Sequence, residues 1–110
     1  MRLAIVSHCY AEQFPQYAWA LKAQLSSLVL YPPDTFVRVF VVCCEEDDLT
    51  YETIRSWPFR EFTVPILLPK QRLWRRAIGR DEFCRTAASE FDLVWFADCD
   101  YLFGEQCIDL

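Results

Sequence analysis

Four short apolar runs separated by helical patterns constrain this 110-residue chain more than any other feature. The runs are Leu3–Val6, Val37–Val42, Phe62–Leu68 and Leu93–Ala97, each rich in β-branched, leucine or aromatic residues. The unbroken run Leu93–Ala97 reads as a fully buried strand, since a strand with one wet face would alternate. Between the first two, Ala18, Leu21, Leu25 and Leu28 recur at steps of three and four between Pro15 and Pro32, which predicts an amphipathic helix. Asp47-Asp48 can cap a short second helix from Leu49 to Trp57, stopped by Pro58. A third helical stretch lies within Gln71 to Glu90, with a break expected at Gly79. Strand–helix alternation predicts an α/β domain with a mainly parallel sheet and helices in the crossovers. Pro65 removes a ladder donor from the third run, which therefore belongs at the sheet edge.

Length allows one domain, residues 1–110, and a composition 54% hydrophobic and 16% aromatic with two glycines excludes a disordered tail. A net charge of −5 argues against nucleic acid as the main partner. No run is long enough for a transmembrane segment, and Ser7-His8 interrupts the opening apolar run too early for a signal peptide. A cytoplasmic location, with peripheral membrane attachment left open, is the expectation. The six cysteines contain no C-x-x-C pair, and Cys43-Cys44 in a strand would point to opposite faces, so free, buried thiols are expected instead of disulfides or zinc.

Asp98-Cys99-Asp100 directly follows the fourth run. Two carboxylates at the end of a buried strand are costly unless they reach a cleft and a cation. Hard oxygen ligands suit Mg²⁺ or Mn²⁺, and open α/β sheets bind ligands beyond their strands' carboxyl ends. The competing reading is a turn, with Gly104 closing the segment. After the first run, Ser7-His8-Cys9-Tyr10-Ala11-Glu12 contains no glycine-rich phosphate loop; Tyr10 can stack on a flat base and Glu12 can meet a polar edge, although each alone reads as an ordinary loop residue. His8, with no acidic or serine neighbour in sequence, reads as structural. The acidic run Glu45-Glu46-Asp47-Asp48 reads as capping and solvated surface, with one carboxylate available to a base or ribose. Lys70, Arg72, Arg75, Arg76 and Arg80 form a basic stretch. On a continuous helix Arg72, Arg76 and Arg80 share a face, where like charges repel unless an anion lies nearby. That anion is either the acidic run or a diphosphate.

Tyr-x-Glu after the first run, acids after the second, arginines before the fourth and Asp-x-Asp after it together resemble the nucleotide-binding half of a GT-A-fold glycosyltransferase, similar to the large inverting family 2. The most specific portion runs from Gly79-Arg80-Asp81 through Ala87-Ala88 to Val94-Trp95-Phe96-Ala97-Asp98-Cys99-Asp100-Tyr101. The resemblance implies a Rossmann-like sheet that binds a nucleotide-diphosphate sugar and transfers the sugar to an acceptor hydroxyl with Mn²⁺ or Mg²⁺. It implies Asp100 as a direct metal ligand and Asp98 as a ligand to metal or ribose. Tyr10 becomes the base-stacking residue, and Glu12, Glu45, Arg76 and Arg80 further substrate contacts. The family's Asp-Asp-Gly-Ser appears here as Cys43-Cys44-Glu45-Glu46, which leaves the base unassigned. The general base and the acceptor side (glycan, lipid or protein) are expected beyond Leu110, so the chain reads as a truncated donor-binding half, inactive alone, with an apolar surface where the other half would pack. Two alternatives remain open at this level: a non-catalytic nucleotide-binding remnant, and a haloacid-dehalogenase-like phosphatase with Asp98 as nucleophile.

Overall fold

A computed structural model describes residues 1–56, 62–105 and 107–109. The elements follow in the order β1 (Arg2–His8), α1 (Gln16–Leu30), β2 (Phe36–Cys44), α2 (Asp48–Arg55), β3 (Thr63–Leu68), α3 (Lys70–Leu73), α4 (Arg76–Thr86), a 3₁₀ turn (Ala88–Glu90) and β4 (Leu93–Phe96). The four strands form one sheet in the order β3-β2-β1-β4, and every pairing is parallel. The α/β class, the parallel sheet and the edge position of the Pro65 strand agree with the sequence reading, and the arrangement is compatible with a Rossmann-like fold.

Alternate residues of the strands feed two cores. One face, with Leu3, Ile5, Val39, Val41 and Cys43, packs against Ala18, Leu21, Leu25 and Leu28 of α1 and Ile54 of α2. The other, with Ala4, Val6, Phe40, Val42 and Cys44, packs against Leu73 of α3 and Phe83 of α4. Cys43 and Cys44 thus face opposite ways, as period-two side-chain alternation requires. Phe83 is fully buried between Phe40, at 4.8 Å between ring centroids, and Phe91. Burying such a ring contributes roughly 1.5–3 kcal/mol, enough to hold a short helix that propensity alone would not. Asp47 caps α2 as expected, accepting from the Thr50 N–H at 3.1 Å. The expected end of α2 at Trp57-Pro58 lies outside the described residues.

Two expectations need correction. The helical stretch breaks at Trp74-Arg75, where Arg75 is extended (φ −104°, ψ 102°), and not at Gly79. Leu73 is buried and the Trp74 ring meets the Tyr10 ring edge-on at 5.3 Å, which pins the end of α3, and α4 starts afresh. Arg72 therefore sits on a different helix from Arg76 and Arg80, and the three do not form one stripe. Gly79 lies inside α4, where a Cβ would come within 2.5 Å of His8 Nε2 and 2.7 Å of Val42 Cγ1. Its lack of a side chain lets α4 close on the ends of β1 and β2. The second correction concerns β4. Its apolar run predicts burial on both faces, yet Leu93 is 53% and Phe96 37% exposed, because β4 is an edge strand paired only with β1 among the described residues. Tyr101 and Leu102 just beyond it are also exposed.

Candidate functional site

β1 lies between β2, continuing toward β3, and β4 on its other side, so the direction of strand succession reverses between β1 and β4. At such a reversal in an open α/β sheet, ligands bind in the crevice outside the carboxyl ends of the strands. A cavity of about 250 Å³ lies there, with His8, Cys9 and Tyr10 on the β1 side and Asp98, Cys99 and Asp100 on the β4 side. Trp74 and Arg76, from the junction of α3 and α4, complete its polar and aromatic wall.

The Asp98–Asp100 turn is held by α1. Gln24, completely buried, donates from Nε2 to the carbonyls of Asp98 (2.9 Å) and Tyr101 (3.1 Å), and its Oε1 accepts from the Ser7 hydroxyl at 3.2 Å. One turn further along α1, Ser27 Oγ accepts from the Phe103 N–H at 3.0 Å. Sequence reasoning passed over Gln24, though a signal was present: it interrupts the apolar stripe between Leu21 and Leu28, where a buried amide requires partners. On the other rim, buried Asp47 accepts the Ala11 N–H at 2.8 Å while also capping α2. Of the acidic run after β2, this residue organises the loop that carries Tyr10.

Asp98 Oδ1 accepts from Arg76 Nη1 at 2.9 Å, with both side chains roughly half exposed. Asp100 lines the same cavity and is exposed. Tyr10 is buried, with its ring against Trp74 and the Lys70 ammonium 5.6 Å from its centroid. Trp74, 55% exposed, offers the more accessible aromatic surface to a planar ligand; sequence reasoning had not singled it out. Arg80 lies with its guanidinium 5.0 Å from the Phe96 ring centroid and its Nε buried without a partner; it is not among the cavity-lining residues. Glu12 and Glu45 are exposed and likewise outside the lining.

His8, read from sequence as structural, contributes to the cavity wall. Its Nε2 is buried without a hydrogen-bond partner, facing the place where Gly79 has no side chain. Burial, reinforced by the positive charges of Arg76 and Arg80 and opposed by Asp98, lowers its pKa to about 4. The imidazole is therefore neutral at physiological pH. Cys9 is pushed above the ordinary thiol range by the neighbouring Cys99 thiol and by burial. All six cysteines are free; Cys84 and Cys107 are exposed, against the expectation of uniformly buried thiols.

The donor chemistry of the turn suits a hard divalent cation in part. Asp98 and Asp100 supply carboxylate oxygens on one rim, but no group of three or more His, Cys, Asp or Glu able to hold a metal occurs among the described residues. Two carboxylates fit an ion that keeps waters and completes its shell with substrate phosphate oxygens, as Mg²⁺ does. Comparisons with family models, curated proteins and solved structures give no match. No helix among the described residues is long and apolar enough to cross a membrane.

Proposed function

We propose that this chain binds the nucleoside-diphosphate part of a nucleotide sugar, as the donor-binding portion of a GT-A-like glycosyltransferase. The observation that carries the reading is the convergence of Asp98, Asp100, Arg76, Tyr10 and Trp74 on one cavity where strand succession reverses. Its volume, about 250 Å³, falls below the roughly 300–1,000 Å³ of pockets that engulf a drug-sized ligand. It takes part of the donor, with the remainder across the open rim.

Asp98 and Asp100 would hold Mn²⁺ or Mg²⁺, which when bound neutralises charge on the departing diphosphate. Arg76 binds the same phosphate oxygens bidentately. An exposed ion pair such as Arg76–Asp98 contributes only about 0.2–1 kcal/mol, so an incoming diphosphate readily draws the guanidinium away and frees the carboxylate. Trp74 and Tyr10 form the aromatic wall for the base, and Gln24 fixes the turn that presents both carboxylates. Arg80 adds positive potential from behind Phe96. Transfer to an acceptor hydroxyl requires a general base near that hydroxyl. None is assigned among these residues.

Titration calorimetry with uridine and guanosine diphosphates, with Mn²⁺ and with chelator, tests the reading. Nucleotide affinity should fall on chelation; Asp100→Asn should abolish the metal effect, and Asp98→Asn should reduce it. A metal dependence unchanged in Asp100→Asn refutes the assignment.

A further inference from the structure

Cys9, after β1, and Cys99, after β4, both line the crevice. β1 and β4 pair in parallel with Leu3 opposite Leu93 and Val6 opposite Phe96. The Ala97 N–H to Val6 carbonyl bond, 3.0 Å, carries this register one residue past β4. Cys9 and Cys99 each follow three residues after the last paired residues, Val6 and Phe96. Both side chains join the same core cluster as Ile5 and Ala97, and the two thiols are immediate neighbours. The strands that deliver the two residues run roughly 4.8 Å apart, and a disulfide spans roughly 4.4–6.8 Å between Cα atoms. Both thiols are 5% exposed or less, yet both line the cavity, which gives a small reagent a route to them. Cys43 falls in step on the other flank of Cys9, but it is fully buried and does not line the cavity.

We propose that Cys9 and Cys99 form a reversible disulfide that staples the Asp98–Asp100 turn to the end of β1 and makes the site responsive to thiol redox state. The oxidant is a low-molecular-weight disulfide such as oxidised glutathione. One cysteine sulfur attacks it, forming a mixed disulfide and releasing the first glutathione thiol. The second cysteine sulfur then displaces the other glutathione. Two protein thiols are oxidised and one disulfide is reduced to two thiols, which take up the two protons. The bridge removes the S–H that Cys9 directs to the Tyr17 carbonyl at 3.6 Å, while the Thr50 hydroxyl, 3.4 Å from Cys9 Sγ, keeps its acceptor. Cys99 separates Asp98 from Asp100, so the bridge fixes the peptide between the two carboxylates.

The test uses the chain with Cys84→Ser and Cys107→Ser, which removes the two exposed thiols. After incubation with oxidised glutathione, intact mass should fall by the mass of two hydrogens. Proteolytic mapping should recover one cross-linked species joining the Cys9 and Cys99 peptides, and dithiothreitol should restore the starting mass. Adding Cys99→Ser should abolish the cross-link; mapping of the parent settles the pairing even where that variant folds poorly. Free Cys9 and Cys99, alkylated quantitatively after denaturation, would overturn the proposal. So would a persistent glutathione adduct or a bridge from Cys9 to Cys43. None of these readouts depends on nucleotide or metal binding, so the staple stands or falls apart from the donor-binding reading.

Discussion

Acidification offers a direct probe of how α4 meets β1, because His8 is the only histidine in the chain. In the unfolded chain its imidazole titrates near pH 6.5; in the folded protein, burial and the charges of Arg76 and Arg80 hold it at about 4. Above pH 6.5 both states carry a neutral ring and His8 leaves stability unchanged. Between pH 6.5 and 4 the unfolded chain takes up a proton that the folded one refuses, so stability falls as pH drops, then levels off below 4. The full gap corresponds to about 3 kcal/mol, and solvent screening of a partly exposed ring brings the expected loss to about 1–2 kcal/mol. Urea unfolding at pH 7, 5.5 and 4.5 in metal-free buffer, on wild type and His8→Gln, isolates this contribution from the carboxylates. The two stability curves should converge or cross as pH falls, with wild type losing more. The single imidazole resonance gives the folded titration point directly by NMR. An imidazole titrating at 6.5 or above, or stability curves running parallel from pH 7 to 4.5, would refute the packing argument.

Gly79→Ala gains up to about 1 kcal/mol of helix propensity but places a Cβ 2.5 Å from His8 Nε2 and 2.7 Å from Val42 Cγ1, and overpacking of this kind costs about 1–3 kcal/mol. The melting temperature should fall; a rise would show that α4 is not seated against β1 and β2 as described. Gln24→Leu leaves the carbonyls of Asp98 and Tyr101 and the Ser7 hydroxyl without their buried partner, at a cost of about 2–3 kcal/mol. Amide hydrogen exchange across residues 98–103 should accelerate beyond the global change; unaltered local protection there would mean α1 does not anchor the turn.

Element identities were legible in the chain because they follow from local periodicity. The step-of-three-and-four stripe of α1, the Asp47 cap of α2 and the β-branched runs each need only neighbouring residues. Pro65 alone placed β3 at the edge, since a missing N–H is a property of one residue. The Asp-x-Asp turn was also visible, as paired carboxylates after an apolar strand. Other features depended on partners distant in sequence. An apolar run cannot say whether a second strand will cover it, so the exposed edge of β4 appeared only once the sheet order was known. The basic stretch looked continuous until Trp74 met Tyr10 and Leu73 entered the core, which divided it between two helices. His8 became a neutral member of the cavity wall because Gly79, far along the chain, leaves room for its ring. Gln24 acquired its role through the packing of α1 against the turn. Short-range pattern determines which elements form; the site is set by which of their ends the tertiary fold brings together, since hydrogen bonding, burial and charge act through space and not along the sequence.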